Sequence, residues 1–287
     1  MKAIFKREFK SYFDNILGYI FCAFILLFAG IYTMALNLKS GSANFEYVLG
    51  NMAFIFLIAV PILTMRVVAE DRKQKTDQLL YSLPVSMTEV VMGKFLAMMA
   101  VLLIPVAIIG TYPLILSAFG KISLFASYGS LLGFYLLGGS LIAMGMFISS
   151  LTDNQVVAVI ASFIVMLLNY FIGTLADYIS YSANATFIAF VVIIVAVAFI
   201  LYYMTKNSLL AVIAAAIMEV FLIIIKVSNP DSLYGVFPKI MNKISVFERF
   251  YNFPNGMFDI TAIVYFLAVI VLFVFFTVQS MEKRRWS

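Results

Sequence analysis

Across 287 residues the chain is 64% hydrophobic and 11% charged, with a mean hydropathy of +1.07, values that exclude an ordinary water-soluble domain. Histidine is absent and Cys22 is the only cysteine, so the commonest general base and metal ligand is missing and no internal disulfide can form. The net charge of +5 comes from basic residues that border apolar runs rather than forming one stripe, which fits anionic membrane lipids and excludes a nucleic-acid-binding module.

The chain opens on Met1 to Asp14, where Ile4, Phe5, Phe9, Tyr12 and Phe13 alternate at helical spacing with Lys2, Lys6, Arg7, Glu8 and Lys10. That pattern predicts a helix along the inner membrane surface, with Phe5, Arg7 and Phe9 either anchoring it in the interface or touching a cytoplasmic partner. Apolar runs of spanning length follow at 16–36, 51–69, 90–118, 126–150, 155–178, 187–204, 208–226 and 261–280, which predicts an all-α polytopic transmembrane bundle of about eight spans, read as one domain over 1–287. With the N-terminus inside, cytoplasmic segments hold twelve basic residues and outer segments six. The positive-inside rule therefore puts both termini in the cytoplasm.

Between the second and third runs, Glu70, Asp71, Arg72, Lys73, Lys75 and Asp77 crowd into eight positions and must face water or a protein. Thr76 caps a predicted short helix whose ridge of Leu79, Leu80 and Leu83 ends at Pro84. The ridge has no core of its own, so it either docks into a groove of another protein or rests on the membrane surface. Ser86-Met87-Thr88-Glu89 reads as a capping box that starts the next span.

Further along, Gly129 and Gly133 lie one turn apart and allow close helix approach, within the subunit or between subunits. Pro61, Pro105 and Pro113 should kink their spans. Glu219 is the most costly intramembrane residue, at about 3 kcal/mol on insertion scales. It should turn inward, stay protonated or find a donor such as Asn169 or a tyrosine. Residues 233–253 place Phe237, Ile240, Met241, Ile244, Phe247 and Tyr251 on one face, which predicts an outer amphipathic helix that either packs on the bundle or gates an exit.

The blocks Glu70-Asp71-Arg72, Thr76, Leu79-Leu80 and Leu83-Pro84-Val85-Ser86, then Glu89 and Gly93-Lys94, then Ser149 to Gln155, carry a resemblance, as does the tail through Gly256 to Asp259 and Arg284-Arg285-Trp286. The chain resembles the ABC-2 type permeases, especially the membrane subunits of gliding-motility and nitrous-oxide-reductase maturation exporters. The resemblance implies a six-span core to which 187–226 adds an inserted two-span hairpin, and it makes 70–84 the coupling helix seated in a separate ABC ATPase. It further implies a second membrane subunit, the same chain or a related one, export as the direction, and a bacterial cytoplasmic membrane. A phosphate-binding Gly-x-x-x-x-Gly-Lys-Ser/Thr run is missing, so no cofactor is expected on this chain and ATP and magnesium belong to the partner. An ion-coupled secondary transporter or channel using Glu219 is the alternative, and it would need more intramembrane charge than this sequence offers.

Overall fold

The computed structural model of the chain describes residues 1–73 and 85–285, and every regular element among them is helical. Hydrocarbon offers no hydrogen-bond partner to a peptide group, so a chain this apolar must satisfy its backbone within helices. Six helices among the described residues are long and apolar enough to cross a membrane: Leu17–Leu38, Glu46–Lys73, Met87–Ser117, Leu124–Leu151, Gln155–Tyr178 and Ile260–Arg284. The fold is an all-α, multi-pass helical membrane protein, and its contacts fall into two units, 1–170 with 249–287, and 171–248.

In the first unit α1 (Lys2–Asp14) turns at Asn15 into α2 (Leu17–Thr33), which ends in a π-helical turn, Met34–Leu38. The second span is assembled from α3 (Glu46–Met52), a 3₁₀ turn, α4 (Phe56–Thr64) and, after a break, α5 (Ala69–Lys73). It starts before residue 51 because Glu46, which reads as loop by hydropathy, is only 9% exposed and accepts from the Ser127 hydroxyl at 3.5 Å. The Ser86 hydroxyl accepts from Glu89 N–H at 3.3 Å and launches α6 (Met87–Ile109), as the capping box predicts. The span read over 90–118 is one span, Met87–Ser117, built of two helical segments, α6 and α7 (Tyr112–Ser117). At the break the Thr111 hydroxyl donates to the Ile108 carbonyl at 2.7 Å, and Pro113 has no N–H to continue the ladder.

At the centre stands α8 (Leu124–Leu151). About 72% of the most apolar stretch is buried in both the second span and α8, against 22% in the first and fifth spans. Glycines let neighbours close on it. A Cβ on Gly138 would lie 2.6 Å from Leu102 on α6, and one on Gly133 would lie 2.7 Å from the Phe253 ring. Gly129 meets Phe258 in the same way, so both glycines of that pair receive aromatic rings from the segment just before the last helix, within one chain. Phe56 and Phe134 stack with centroids 4.4 Å apart. The fifth span is α9 (Gln155–Tyr178).

The second unit holds the end of α9, then α10 (Ala183–Thr205) and α11 (Ser208–Ser228), which pair as a hairpin over residues 187–226. The ammonium of Lys226 sits 4.1 Å from the centre of the Phe187 ring, and Phe190 meets Phe237 edge-on at 5.7 Å. The outer helix expected over 233–253 is two helices, α12 (Val236–Ile244) and α13 (Val246–Tyr251). Ser245 separates them because its hydroxyl accepts from Glu248 N–H at 3.1 Å, capping a new helix instead of continuing the old one.

The last helix, α14 (Ile260–Arg285), starts at Asp259, whose carboxylate accepts from Thr261 N–H at 2.8 Å, Ala262 N–H at 3.3 Å and the Asn252 amide at 3.0 Å. Slight burial pushes this carboxyl up, but the bonds from Asn252, Ala262 and Thr261 outweigh it and hold the group below the usual carboxylate range. A depressed folded pKa gives stability that is present above the unfolded value of about 3.9 and lost as pH falls toward the folded value. The melting-temperature gap between wild type and Asp259→Ala should therefore be widest near neutrality and shrink as pH drops below about 4. Gly133→Ala should destabilise by about 1–3 kcal/mol through overpacking against Phe253. Gly30→Ala, where nothing lies within 4 Å of the added atom, should be neutral or slightly stabilising; thermal unfolding in detergent checks both.

Candidate functional site

The chemistry-bearing residues converge at one end of the first unit, around the break between α4 and α5. Residues 65–68 leave the helical ladder there, and their backbone groups need partners away from water. Three helices supply them. The Tyr12 hydroxyl on α1 donates to the Leu63 carbonyl at 3.1 Å, and Lys94 Nζ on α6 donates to the Val67 carbonyl at 2.7 Å. From α8, the Ser149 hydroxyl accepts from Ala69 N–H at 3.2 Å and donates to the Met65 carbonyl at 3.3 Å.

Lys94 is the hub of this arrangement. Its side chain is 1% exposed, and its ammonium lies 2.6 Å from the Asp71 carboxylate on α5 and 3.2 Å from Glu8 on α1. An ammonium withdrawn from water is tolerated only when it is paired and hydrogen-bonded, and here two carboxylates and a carbonyl surround it. Its neighbour Gly93 allows α1 to lie close: a Cβ there would sit 3.0 Å from Ile4. The Gly93-Lys94 pair thus combines a close approach with a charge that fastens what approaches.

Around the hub the remaining charges pair locally. Arg7 holds Glu8 at 2.6 Å, and that hydrogen bond, offset in part by burial, raises the guanidinium pKa further. Burial pushes the Tyr12 phenol far up, with the nearby Glu8 charge adding to it, so it stays a donor at any working pH. Arg66 and Glu70 pair one turn apart, with one contact at 2.7 Å. A polar cleft of about 270 Å³, lined by Arg7, Glu8, Tyr12, Arg66, Glu70 and Asp71 among others, opens beside them. On the other flank buried Arg72 faces Asp153 at 3.7 Å, and Asp153 binds Arg284 of α14 at 2.8 Å. The Ser280 hydroxyl donates to the Ser150 carbonyl at 3.2 Å, fixing the end of α14 against the end of α8.

Four motifs far apart in sequence therefore meet: Glu70-Asp71-Arg72, Gly93-Lys94, Ser149 to Asp153, and Arg284. They bring α1, α5, the start of α6 and the ends of α8 and α14 together at one end of the first unit. Residues 30–179, just over half of the chain, match the family described as ABC-2 family transporter protein. The chain belongs to the ABC-2 transporter family. Among curated proteins, none matches the chain.

As a member of that family the protein is the membrane permease component of an ABC transporter, a transport element rather than a catalyst. The matched range contains Asp71, Arg72, Lys94, Ser149 and Asp153, whereas Glu8 and Arg284, which complete the cluster, lie beyond its two ends. Of the residues singled out by sequence and expected to face water or a protein, Lys73 is exposed, Glu70 and Asp71 are half-buried in pairs with Arg66 and Lys94, and Arg72 is buried, because α5 continues the second span into the packed end of the unit. Thr76, Leu79, Leu80, Leu83 and Pro84 lie outside the described residues. Phe5 stacks on Phe9 with centroids 6.0 Å apart, beside the Arg7 to Glu8 pair.

Glu219 and Asn169 are not brought into this cluster. Glu219 lines an apolar groove of about 440 Å³ between α10 and α11 of the second unit, and Asn169 is on α9 in the first. In the sequence, Lys94 and Asp153 stand only as members of longer motifs, and nothing there pairs them with Glu8 or Arg72. The signal that Lys94 is buried is the apolar run that begins at Val90, upstream of it, and Gly93 beside it.

Lys94→Met leaves two carboxylates facing each other without their counter-ion. It should destabilise the detergent-solubilised protein by about 3–5 kcal/mol. Neutralising the carboxylates in the same chain, as Glu8→Gln with Asp71→Asn, should recover part of that loss. A melting-temperature cycle over the single, double and triple variants measures the coupling.

Proposed function

We propose that the protein is the membrane subunit of an ATP-driven exporter of the bacterial cytoplasmic membrane, moved by a separate ABC ATPase that seats on residues 70–84. The single observation that supports this reading is the burial of Lys94 between Glu8 and Asp71, the second of which belongs to the first residues of that segment. A cytoplasmic motor needs a stiff joint at the point where it pushes, and a paired, hydrogen-bonded charge in a low-dielectric setting is such a joint. Displacement of the segment is then shared at once by α1, α6 and the break in the second span.

The asymmetry of twelve basic residues against six favours the face with both termini as cytoplasmic. ATP and magnesium reside on the ATPase, and this chain holds no cofactor. The working complex pairs two membrane subunits, a second copy or a related chain, so that alternating rearrangement moves the cargo across. The Arg72–Asp153–Arg284 chain adds α8 and α14 to the parts that respond to the motor.

Docking rests on the ridge Leu79, Leu80 and Leu83. Burying a leucine contributes about 1.5–3 kcal/mol, so Leu79→Asp with Leu83→Asp should weaken ATPase binding about a hundredfold or more. Affinity purification of the membrane subunit should recover a soluble ATPase from wild-type cells and lose it from the double variant. Undiminished recovery with both substitutions would contradict the assignment of this segment.

A further inference from the structure

A groove of about 790 Å³ runs along the last turns of α14 against the end of α8 and meets the charged cluster at Arg284. Its floor is a ring of three phenylalanines, with Phe147 5.9 Å from Phe273 and 5.7 Å from Phe276, and Phe273 6.1 Å from Phe276. Along α14 the lining changes in a fixed order. Phe276 comes first, then Gln279 and Ser280, then Lys283 and Arg284. Positions 276, 279 or 280, and 283 share one helix face, so polarity rises along the membrane normal from hydrocarbon to amide and hydroxyl to cation.

We infer that this groove binds one anionic phospholipid, its acyl chain against Phe147, Phe273 and Phe276 and its phosphate at Lys283 and Arg284. A phospholipid carries the same gradient in the same direction: hydrocarbon, ester, then phosphate. An amphipathic protein helix would instead need an apolar stripe along its whole length, which the basic end of the groove does not offer. Two basic residues on the rim supply the charge complementarity, each adding about fivefold to the attraction of an anionic headgroup at a membrane surface. Arg284 need not leave its partner to take part. It gives one N–H to Asp153 at 2.8 Å and one to the Leu151 carbonyl at 3.3 Å, and a guanidinium has five. The lipid phosphate would thus share Arg284 with Asp153, the residue that also faces Arg72, placing the lipid at the end of the charge chain.

The test uses the single tryptophan, Trp286, two residues beyond Arg284 in sequence. Full-length protein is reconstituted into bilayers containing brominated phosphatidylglycerol or brominated phosphatidylcholine at matched mole fraction, and quenching gives the relative association of each lipid. Phosphatidylglycerol should be preferred. Lys283→Gln should cut that preference about fivefold, Phe276→Gln should weaken quenching by both lipids, and Lys6→Gln, at the other terminus, should change neither. Equal quenching by the two lipids, or a preference that survives Lys283→Gln, would overturn the site. No ATPase is present in this assay, so its outcome is independent of the motor proposed above.

Discussion

An ammonium group without water decides how this membrane protein is put together at its charged end. Lys94 sits at 2% exposure, where a charged side chain is tolerated only when it is paired and hydrogen-bonded. It remains because Glu8, Asp71 and the Val67 carbonyl converge on it. Each partner is on a different element, so satisfying one charge fixes three segments at once. The same logic explains the neighbours: Tyr12 and Ser149 complete the backbone groups that the break at 65–68 sets free.

Above this end the packing is of another kind. No hydrophobic force separates helix from lipid inside a bilayer, so close contact depends on small residues and shape. The glycines of α8 provide that contact, with Leu102, Met99, Thr64 and the rings of Phe253 and Phe258 filling the space that a Cβ would occupy. Specific charge at the membrane face and close apolar packing in its middle divide the task of specifying one bundle. The second span and α8 are the most buried of the spans, and the first, fifth and last are the least.

Much of this was readable in the residues. Apolar runs located the six spanning helices but pointed to eight spans in all, and the periodicity of Phe5, Phe9, Tyr12 and Phe13 gave α1. Capping chemistry gave the start of α6. The same chemistry was present at Ser245-Val246-Phe247-Glu248, where hydrophobic period alone predicted one helix and the serine made two. Hydropathy also ran straight through Gly110 and Thr111, and only Pro113 marked a kink there. The cluster was the least legible part. Glu8 and Lys94 are 86 positions apart, and pairing over that distance depends on α1 folding back across Gly93, which only the packed structure reveals.

If Lys94 is the joint through which an ATPase moves the bundle, α1 and α5 must travel as one body. The direct test is the distance between spin labels at Lys10 and Lys73, both exposed, in a Cys22→Ser background within the assembled ATPase complex. Pulsed electron paramagnetic resonance should return one unchanged distance with and without trapped ATP. A distance that shifts or splits on ATP binding would mean that the segment moves against α1, and the account of Lys94 as a rigid coupling would be wrong.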